Sequence, residues 1–308
     1  MRIIVHGQQA FGKNVLDSLL ERGEEIVAVY CAPEKEGQRI DPLKEAALEN
    51  DIPVYQPKSY KDKDIQAEFA GLNADLCVMA YVTLLVPEDV LNAPKHGTIQ
   101  YHPSLLPKHR GPSSINWPII QGAGKTGLTI FWPDNGLDTG PVLLQKEVEI
   151  DDSDTLGSIY FNHLLPLGVE AMIEAVDMVR DGTAPRIIQD ESQHSYESWC
   201  RKDDVRIDWS KPVQEVWNLI RGANPQPGAW SQLNGKEIYF YDAKKHTGDT
   251  GAKPGSVTAV GDTSFTVATN GGTIEFLRVR PDGERKIGSQ EFIGSVNLQI
   301  GAQFADQL

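Results

Sequence analysis

The order of its apolar runs constrains this chain most. Residues 2–6 (RIIVH) are a short β-rich run followed by Gly7 and Gly12, and Phe11, Val15, Leu16, Leu19 and Leu20 then recur at helical spacing. Ile26–Tyr30 (IVAVY) is a second apolar run. Strand, helix, strand is the unit of a parallel sheet, because parallel neighbours need a crossover between them. The pattern repeats. Helices are expected at Asp41–Asn50, Ile65–Leu72 and Pro87–Asn92, with strands at Ile52–Tyr55, Asp75–Ala80, Thr98–Tyr101, Thr126–Phe131 and Val142–Val148. Thr155–Arg180 reads as one long helix interrupted near Pro166-Leu167-Gly168. This alternation predicts a doubly wound α/β domain over residues 1–190.

The character then changes. Residues 184–212 are polar and aperiodic, and residues 191–212 are expected to be a linker. Val213–Ile220 has the spacing of one amphipathic helix. Short strands follow at Ala229–Leu233, Glu237–Asp242, Gly255–Val260, Phe265–Ala268 and Thr273–Val279, with turns at Asn234-Gly235, Gly261-Asp262 and Gly271-Gly272. They predict a small β-barrel domain over residues 213–308.

Composition narrows the function classes. Residues 1–195 hold 16 Lys+Arg against 29 Asp+Glu, and residues 196–308 hold 13 against 14. An acidic first half repels a phosphate backbone, so nucleic-acid partners are disfavoured and small substrates are not. Cys31, Cys77 and Cys200 have neither zinc spacing nor the even number of a disulfide framework, which fits a reducing cytoplasm. No apolar run is long enough for a membrane span, and MRIIVHG reads as a first strand rather than a signal peptide.

Gly7-x-x-x-x-Gly12 is neither a dinucleotide fingerprint nor a P-loop; it reads as a tight strand-to-helix turn first and as an anion or substrate site at a helix N-terminus second. The informative stretch is Thr98–Trp117 (TIQYHPSLLPKHRGPSSINW). His102 lies just past a strand, where ligands sit in open α/β sheets, and the prolines after it stiffen the chain. A histidine there is a candidate for proton transfer. The loop Phe131–Gly140 (FWPDNGLDTG) adds Asp134 and Asp138 among glycines that allow close backbone approach. Residue chemistry favours a turn role for Asp134 and leaves Asp138 open. His102 and His109 lack a zinc-binding frame, so no metal is expected, and the serines lack a nucleophile elbow. The tryptophans read mostly as core.

Gln100-Tyr101-His102-Pro103-Ser104-Leu105-Leu106-Pro107-x-x-Arg110-Gly111, followed by Gly136-Leu137-Asp138-Thr139-Gly140, resembles the formyltransferase family. That family includes methionyl-tRNA, glycinamide ribonucleotide and sugar-amine formyltransferases and the hydrolase part of 10-formyltetrahydrofolate dehydrogenase. The chain is most similar to the last, through GQQAFGKNV (7–15), PEKEGQRIDPL (33–43), YHPSLLPKHRGPSSINW (101–117), FWPDNGLDTGPVLLQKEVEI (131–150), RIDWSKP (206–212) and NLIRGANPQPGAW (218–230). The resemblance does not extend to that protein's aldehyde dehydrogenase and carrier portions, so no NADP-dependent oxidation is expected.

What the resemblance implies is a Rossmann-like catalytic domain and an OB-like C-terminal domain. The formyl donor would be 10-formyltetrahydrofolate, and the acceptor water or a small amine. His102, Asp138 and Gln100 would be catalytic. His102 would stabilise an oxyanion or pass a proton to the leaving folate nitrogen, and Asp138 would tune His102. The pterin pocket would draw on Val78–Leu85 and Phe131–Asp138, naming Met79, Tyr81, Leu85, Trp132, Asp134 and Gly136, with Ser104, Arg110 and Gly111 alongside. Formyl-transferring members carry Asn where this chain has Gln100. The hydrolase member also lacks that Asn, which strengthens the similarity to it and speaks against efficient transfer to a demanding acceptor, with hydrolysis and transfer to a small amine both left open. Transfer to tRNA is the alternative within this chemistry. It is disfavoured because the loop Ala32–Asp41 sets Lys35 and Arg39 against Glu34, Glu36 and Asp41. A non-catalytic folate-binding protein is the alternative of another class.

Overall fold

The computed structural model describes residues 1–34, 37 and 39–305. Lys35 and Glu36, which entered the charge argument above, lie outside the described residues. The chain divides into two compact units: residues 1–114, 126–148 and 161–196 form the first, and residues 115–125, 149–160 and 197–308 the second.

The first unit begins with β1 (Arg2–Gly7), α1 (Gln9–Glu21), β2 (Glu25–Tyr30), α2 (Pro42–Glu49), β3 (Val54–Tyr55) and α3 (Lys63–Gly71). It continues with β4 (Leu76–Ala80), α4 (Glu88–Leu91) and β5 (Thr98–His102). After α5 (Asn116–Ile120) of the second unit come β6 (Lys125–Phe131) and β7 (Val142–Glu149). Following α6 (Leu156–Ile159), a π-helical turn over Tyr160–Leu164 leads into α7 (Leu165–Arg180). The break expected at Pro166–Gly168 therefore falls one turn earlier. Pro166 sits in the first turn of α7, where its missing N–H costs nothing, and it starts that helix instead of breaking it.

The seven strands lie in the order β3-β2-β1-β4-β5-β6-β7. β1, β2, β3, β4 and β5 pair in parallel, and β6 pairs antiparallel with β5. The order reverses between β1 and β4, which makes a crevice at their carboxyl ends. Here Gly7 passes so close to β4 that a Cβ would lie 2.1 Å from the Ala80 carbonyl oxygen, so only glycine fits. The apolar stripe of α1 (Phe11, Val15, Leu16 and Leu19) is buried as its spacing demands. On one face of the sheet Ile4, Tyr30, Tyr60, Phe69, Cys77 and Met79 form a core.

The second unit adds α8 (Val213–Gly222), β8 (Ala229–Leu233), β9 (Lys236–Phe240), β10 (Ala243–Thr247), β11 (Val257–Val260), β12 (Phe265–Thr269) and β13 (Gly272–Phe276). β14 (Arg278–Pro281), β15 (Ile287–Gly288), α9 (Ser289–Val296) and β16 (Phe304–Ala305) complete it. Two antiparallel sheets, β10-β13-β12-β11 and β15-β14-β9-β8-β16, surround an aromatic core of Trp209, Phe240, Phe265, Phe276 and Phe304. They are tied at one edge by Val257 N–H donating to Ala302 (2.8 Å) and Phe304 N–H donating to Gly255 (2.8 Å). The stretch expected as a linker contributes Val205, Ile207 and Trp209, all fully buried. Their signal was the alternation of Val205, Ile207 and Trp209 with Arg206 and Asp208, a strand period too short to stand out in a polar stretch. The run Thr273–Val279 splits into β13 and β14, so one expected strand serves both sheets.

Candidate functional site

His102 ends β5 at the carboxyl edge of the sheet and is 5% exposed. Side chains alternate along a strand, so Gln100 and His102 share a face while Tyr101 turns to the other and packs against Phe11 at 4.2 Å between ring centroids. The Nε2 of His102 lies 2.9 Å from the His109 carbonyl oxygen. A carbonyl only accepts, so Nε2 carries the hydrogen and Nδ1 is the bare nitrogen of the neutral ring. That Nδ1 faces the Asp138 Oδ2 at 3.7 Å. The separation is beyond a hydrogen bond, yet short enough for strong pairing once the ring gains a proton.

Because β6 runs antiparallel to β5, with Phe131 opposite Gln100, the loop after β6 must fold back over this face to deliver Asp138. Several bonds hold it there. Asp138 adopts a left-handed backbone (φ 57°) and is 8% exposed. Its Oδ2 accepts from the Gly111 N–H (2.9 Å), and its carbonyl accepts from Gln189 Nε2 (2.9 Å). Gln189 Nε2 also donates to the Gly140 carbonyl (2.7 Å), and its Oε1 receives Arg110 Nη2 (2.8 Å). Arg110 Nη2 donates in turn to Glu191 (2.6 Å). One buried amide therefore joins the His102 loop to the Asp138 loop. Gly140 is needed because a Cβ there would lie 1.8 Å from the Trp132 carbonyl oxygen.

The remaining expected residues sort by position. Ser104 is fully buried, and its hydroxyl donates to the Lys108 carbonyl (2.7 Å) while Thr129 donates to its own carbonyl (2.7 Å). Ser104 and Arg110 thus brace the loop, and their bonding groups are occupied by the protein itself. Gly111 offers its N–H to Asp138 rather than to open space. Asp134 accepts from the Gly136 N–H (3.0 Å) and the Thr139 hydroxyl (2.6 Å), which makes the turn that residue chemistry favours for it. Trp132 is buried, donates Nε1–H to Pro185 (2.9 Å) and carries the Arg186 guanidinium 3.9 Å above its ring. Met79 is buried in the sheet core. Tyr81, at φ 67° just past β4, is 47% exposed, and Leu85 and Leu137 are 84% and 50% exposed. Gln189 and the His109 carbonyl were not foreseen. Gln189 lies in an aperiodic stretch, and a backbone carbonyl leaves no residue-type signal at all.

Among the described residues no group of three His, Cys, Asp or Glu is placed to hold a metal ion, and no helix is long and apolar enough to cross a membrane.

Residues 1–176 match the family described as Formyl transferase, and residues 200–297 match its C-terminal domain. The chain belongs to the formyl transferase family. It is 40% identical over 276 residues to the mitochondrial 10-formyltetrahydrofolate dehydrogenase of Mus musculus, a match that covers 85% of this chain and 30% of that relative. It is 34% identical over 306 residues to the methionyl-tRNA formyltransferase of Geobacter metallireducens, covering 98% and 97% of the two chains. The chain thus spans only 30% of the dehydrogenase relative's length but nearly all of the second. HypX from Aquifex aeolicus, solved in complex with tetrahydrofolic acid, shares the fold with a TM-score of 0.71 at 21% identity, over 97% of this chain and 48% of that one.

Proposed function

We propose that the protein takes the formyl group from 10-formyltetrahydrofolate and passes it to water or to a small amine. The observation that carries this reading is the buried pair of His102 Nδ1 and Asp138 Oδ2, 3.7 Å apart beside the carboxyl end of β5. The exposed Tyr81, just past the end of β4 next to β5, and Leu137, next to Asp138 in the chain, offer apolar surface that suits one face of a flat pterin ring.

The chemistry needs a proton taken from the nucleophile, a negative charge stabilised on the formyl oxygen and a proton given to the departing folate nitrogen. With Nε2–H held by the His109 carbonyl, Nδ1 is the ring atom that exchanges protons. The Asp138 carboxylate stabilises the imidazolium that results, as buried opposite charges do. Gln100, on the same face of β5, supplies an amide donor for the oxyanion. Its side chain is one methylene longer than the family's Asn, which moves the donor by about 1.5 Å. Water, small and mobile, tolerates that displacement better than a large acceptor held at several points.

The test is release of tetrahydrofolate from 10-formyltetrahydrofolate by the purified chain without an acceptor. Brisk release that is lost in Asp138→Ala supports hydrolysis. Silence that is broken only by an amine supports transfer. The second reading, methionyl-tRNA formyl transfer, is favoured by the end-to-end match to the Geobacter protein. Restoration by charged initiator tRNA alone would select it. Unchanged turnover in His102→Ala would sink the role given to His102, and folate binding without turnover under any of these conditions would leave a folate-binding protein.

A further inference from the structure

A second concave site lies wholly within the C-terminal unit. It is a cleft of about 340 Å³ lined by Pro225, Gln226, Pro227, Tyr241, Arg280 and Lys286. Its walls follow from the strand register. Tyr239 on β9 stands opposite Arg280 on β14, so the Arg280 guanidinium lies 4.0 Å over the Tyr239 ring. The Lys286 ammonium lies 3.7 Å over the Tyr241 ring, and Arg280 Nε donates to the Tyr241 hydroxyl (3.4 Å). Cation–π contacts and a phenol therefore hold both positive heads in place.

Close by in sequence, Arg278 pairs with Asp242 (3.3 Å) and Arg285 with Glu291 (3.2 Å). Arg280 and Lys286 form no ion pair among the described residues. Desolvation, with Arg278 and Arg280 nearby, pushes the Lys286 ammonium below its ordinary range in spite of Asp242. Two cations that share a concave wall with no direct ion pair repel each other, and an anion between them removes that cost. A planar guanidinium matches two oxygens of one group, and a lysine adds a mobile point charge. The two prolines make a stiff opposite wall, and Gln226 adds an exposed amide.

We propose that this cleft binds the oxyanionic group of a small molecule, a phosphate ester or a carboxylate, between Arg280 and Lys286. The site uses none of the residues placed around His102, so it stands apart from the formyl-transfer reading.

The experiment is calorimetric titration of the full chain at about 0.15 M salt, with inorganic pyrophosphate in one arm and glutarate in the other. At least one should bind saturably, and the tighter of the two identifies the source of the oxyanion. Lys286→Gln and Arg280→Gln should each weaken that binding about tenfold, the worth of one charge-assisted bond. Lys286 is exposed, so its variant keeps the test valid if Arg280→Gln melts early. The proposal is overturned if neither titrant saturates below about 10 mM. It is equally overturned if Lys286→Gln binds as tightly as the parent, or if a single-stranded oligonucleotide binds there and pyrophosphate does not compete.

Discussion

Replacing Gln189 with Leu removes the amide that joins the two halves of the candidate site while keeping most of its volume. Gln189 is 6% exposed, and its Nε2 supplies the side-chain bonds to the Asp138 and Gly140 carbonyls, at 2.9 and 2.7 Å. Its Oε1 takes Arg110 Nη2 at 2.8 Å. Each buried polar group left without a partner costs about 1–3 kcal/mol. Arg110 retains Glu191, so the two carbonyls dominate, and together they cost about 3 kcal/mol. For a unit of this size, that corresponds to a fall in Tm of roughly 6–12 °C. The functional effect follows from the same bonds. Asp138 sits at φ 57°, a conformation an L-residue holds only when its surroundings fix it. Once released, its carboxylate drifts from His102, and a displacement of about 1 Å costs about 100-fold in rate. The assay pairs a calorimetric melt with single-turnover release of tetrahydrofolate. Gln189→Glu is the informative control: it still accepts from Arg110 but offers no N–H to the carbonyls, so it should behave like the Leu variant. A Leu variant with the parent's Tm and the parent's rate would refute the reasoning, because the amide would then hold nothing.

His102→Ala should lower turnover by about 10²–10⁴-fold while folate binding, followed by fluorescence quenching, is retained. Asp138→Asn keeps the acceptor for the Gly111 N–H and removes the charge facing His102 Nδ1, so kcat should fall far more than KM rises. Burial holds His6 at about 3, below its unfolded value near 6.5, and its Nδ1 has no partner. The depressed folded pKa means its contribution is complete above pH 6.5 and is lost as pH falls toward 3. Urea unfolding across that window should show a slope of about 1.4 kcal/mol per pH unit that disappears in His6→Leu. Trp209→Ala, which empties the centre of the aromatic core, should cost about 3–5 kcal/mol in the same assay.

Several features were legible from residue order. The strands β1, β2 and β4 appear as apolar runs because strands covered on both faces need apolar residues at consecutive positions, and β5 appears as Ile99 and Tyr101 alternating with polar residues. The Phe11–Leu20 stripe marks α1 because its period matches one helical face. His102 stands out as one of seven histidines, set at a strand's carboxyl end before a proline-rich loop, and Asp138 stands out only through the family resemblance. Other features carried no such signal. β10 (AKKHT) is mostly polar and solvent-facing, so its identity as a strand comes from pairing with β13 rather than from its own pattern. Phe304 closes the second core from a two-residue strand too short to show any period.

By itself the sequence determined that an α/β sheet is followed by an antiparallel β domain, which follows from periodicity and is local. Residue type drew attention to His102, and the family resemblance, not spacing, singled out Asp138 beside it. Only the tertiary structure decided that Nε2 of His102 is tethered to the His109 carbonyl while Nδ1 faces Asp138, and that Ser104 and Arg110 are spent on bracing. It alone decided that Gln189 binds the Asp138 loop to the His102 loop, and that Arg280 and Lys286 line one cleft with no ion pair to either among the described residues. The physical reason is the same in each case. A hydrogen bond or an unpaired charge depends on which groups meet after distant segments pack, and no spacing within one segment records that.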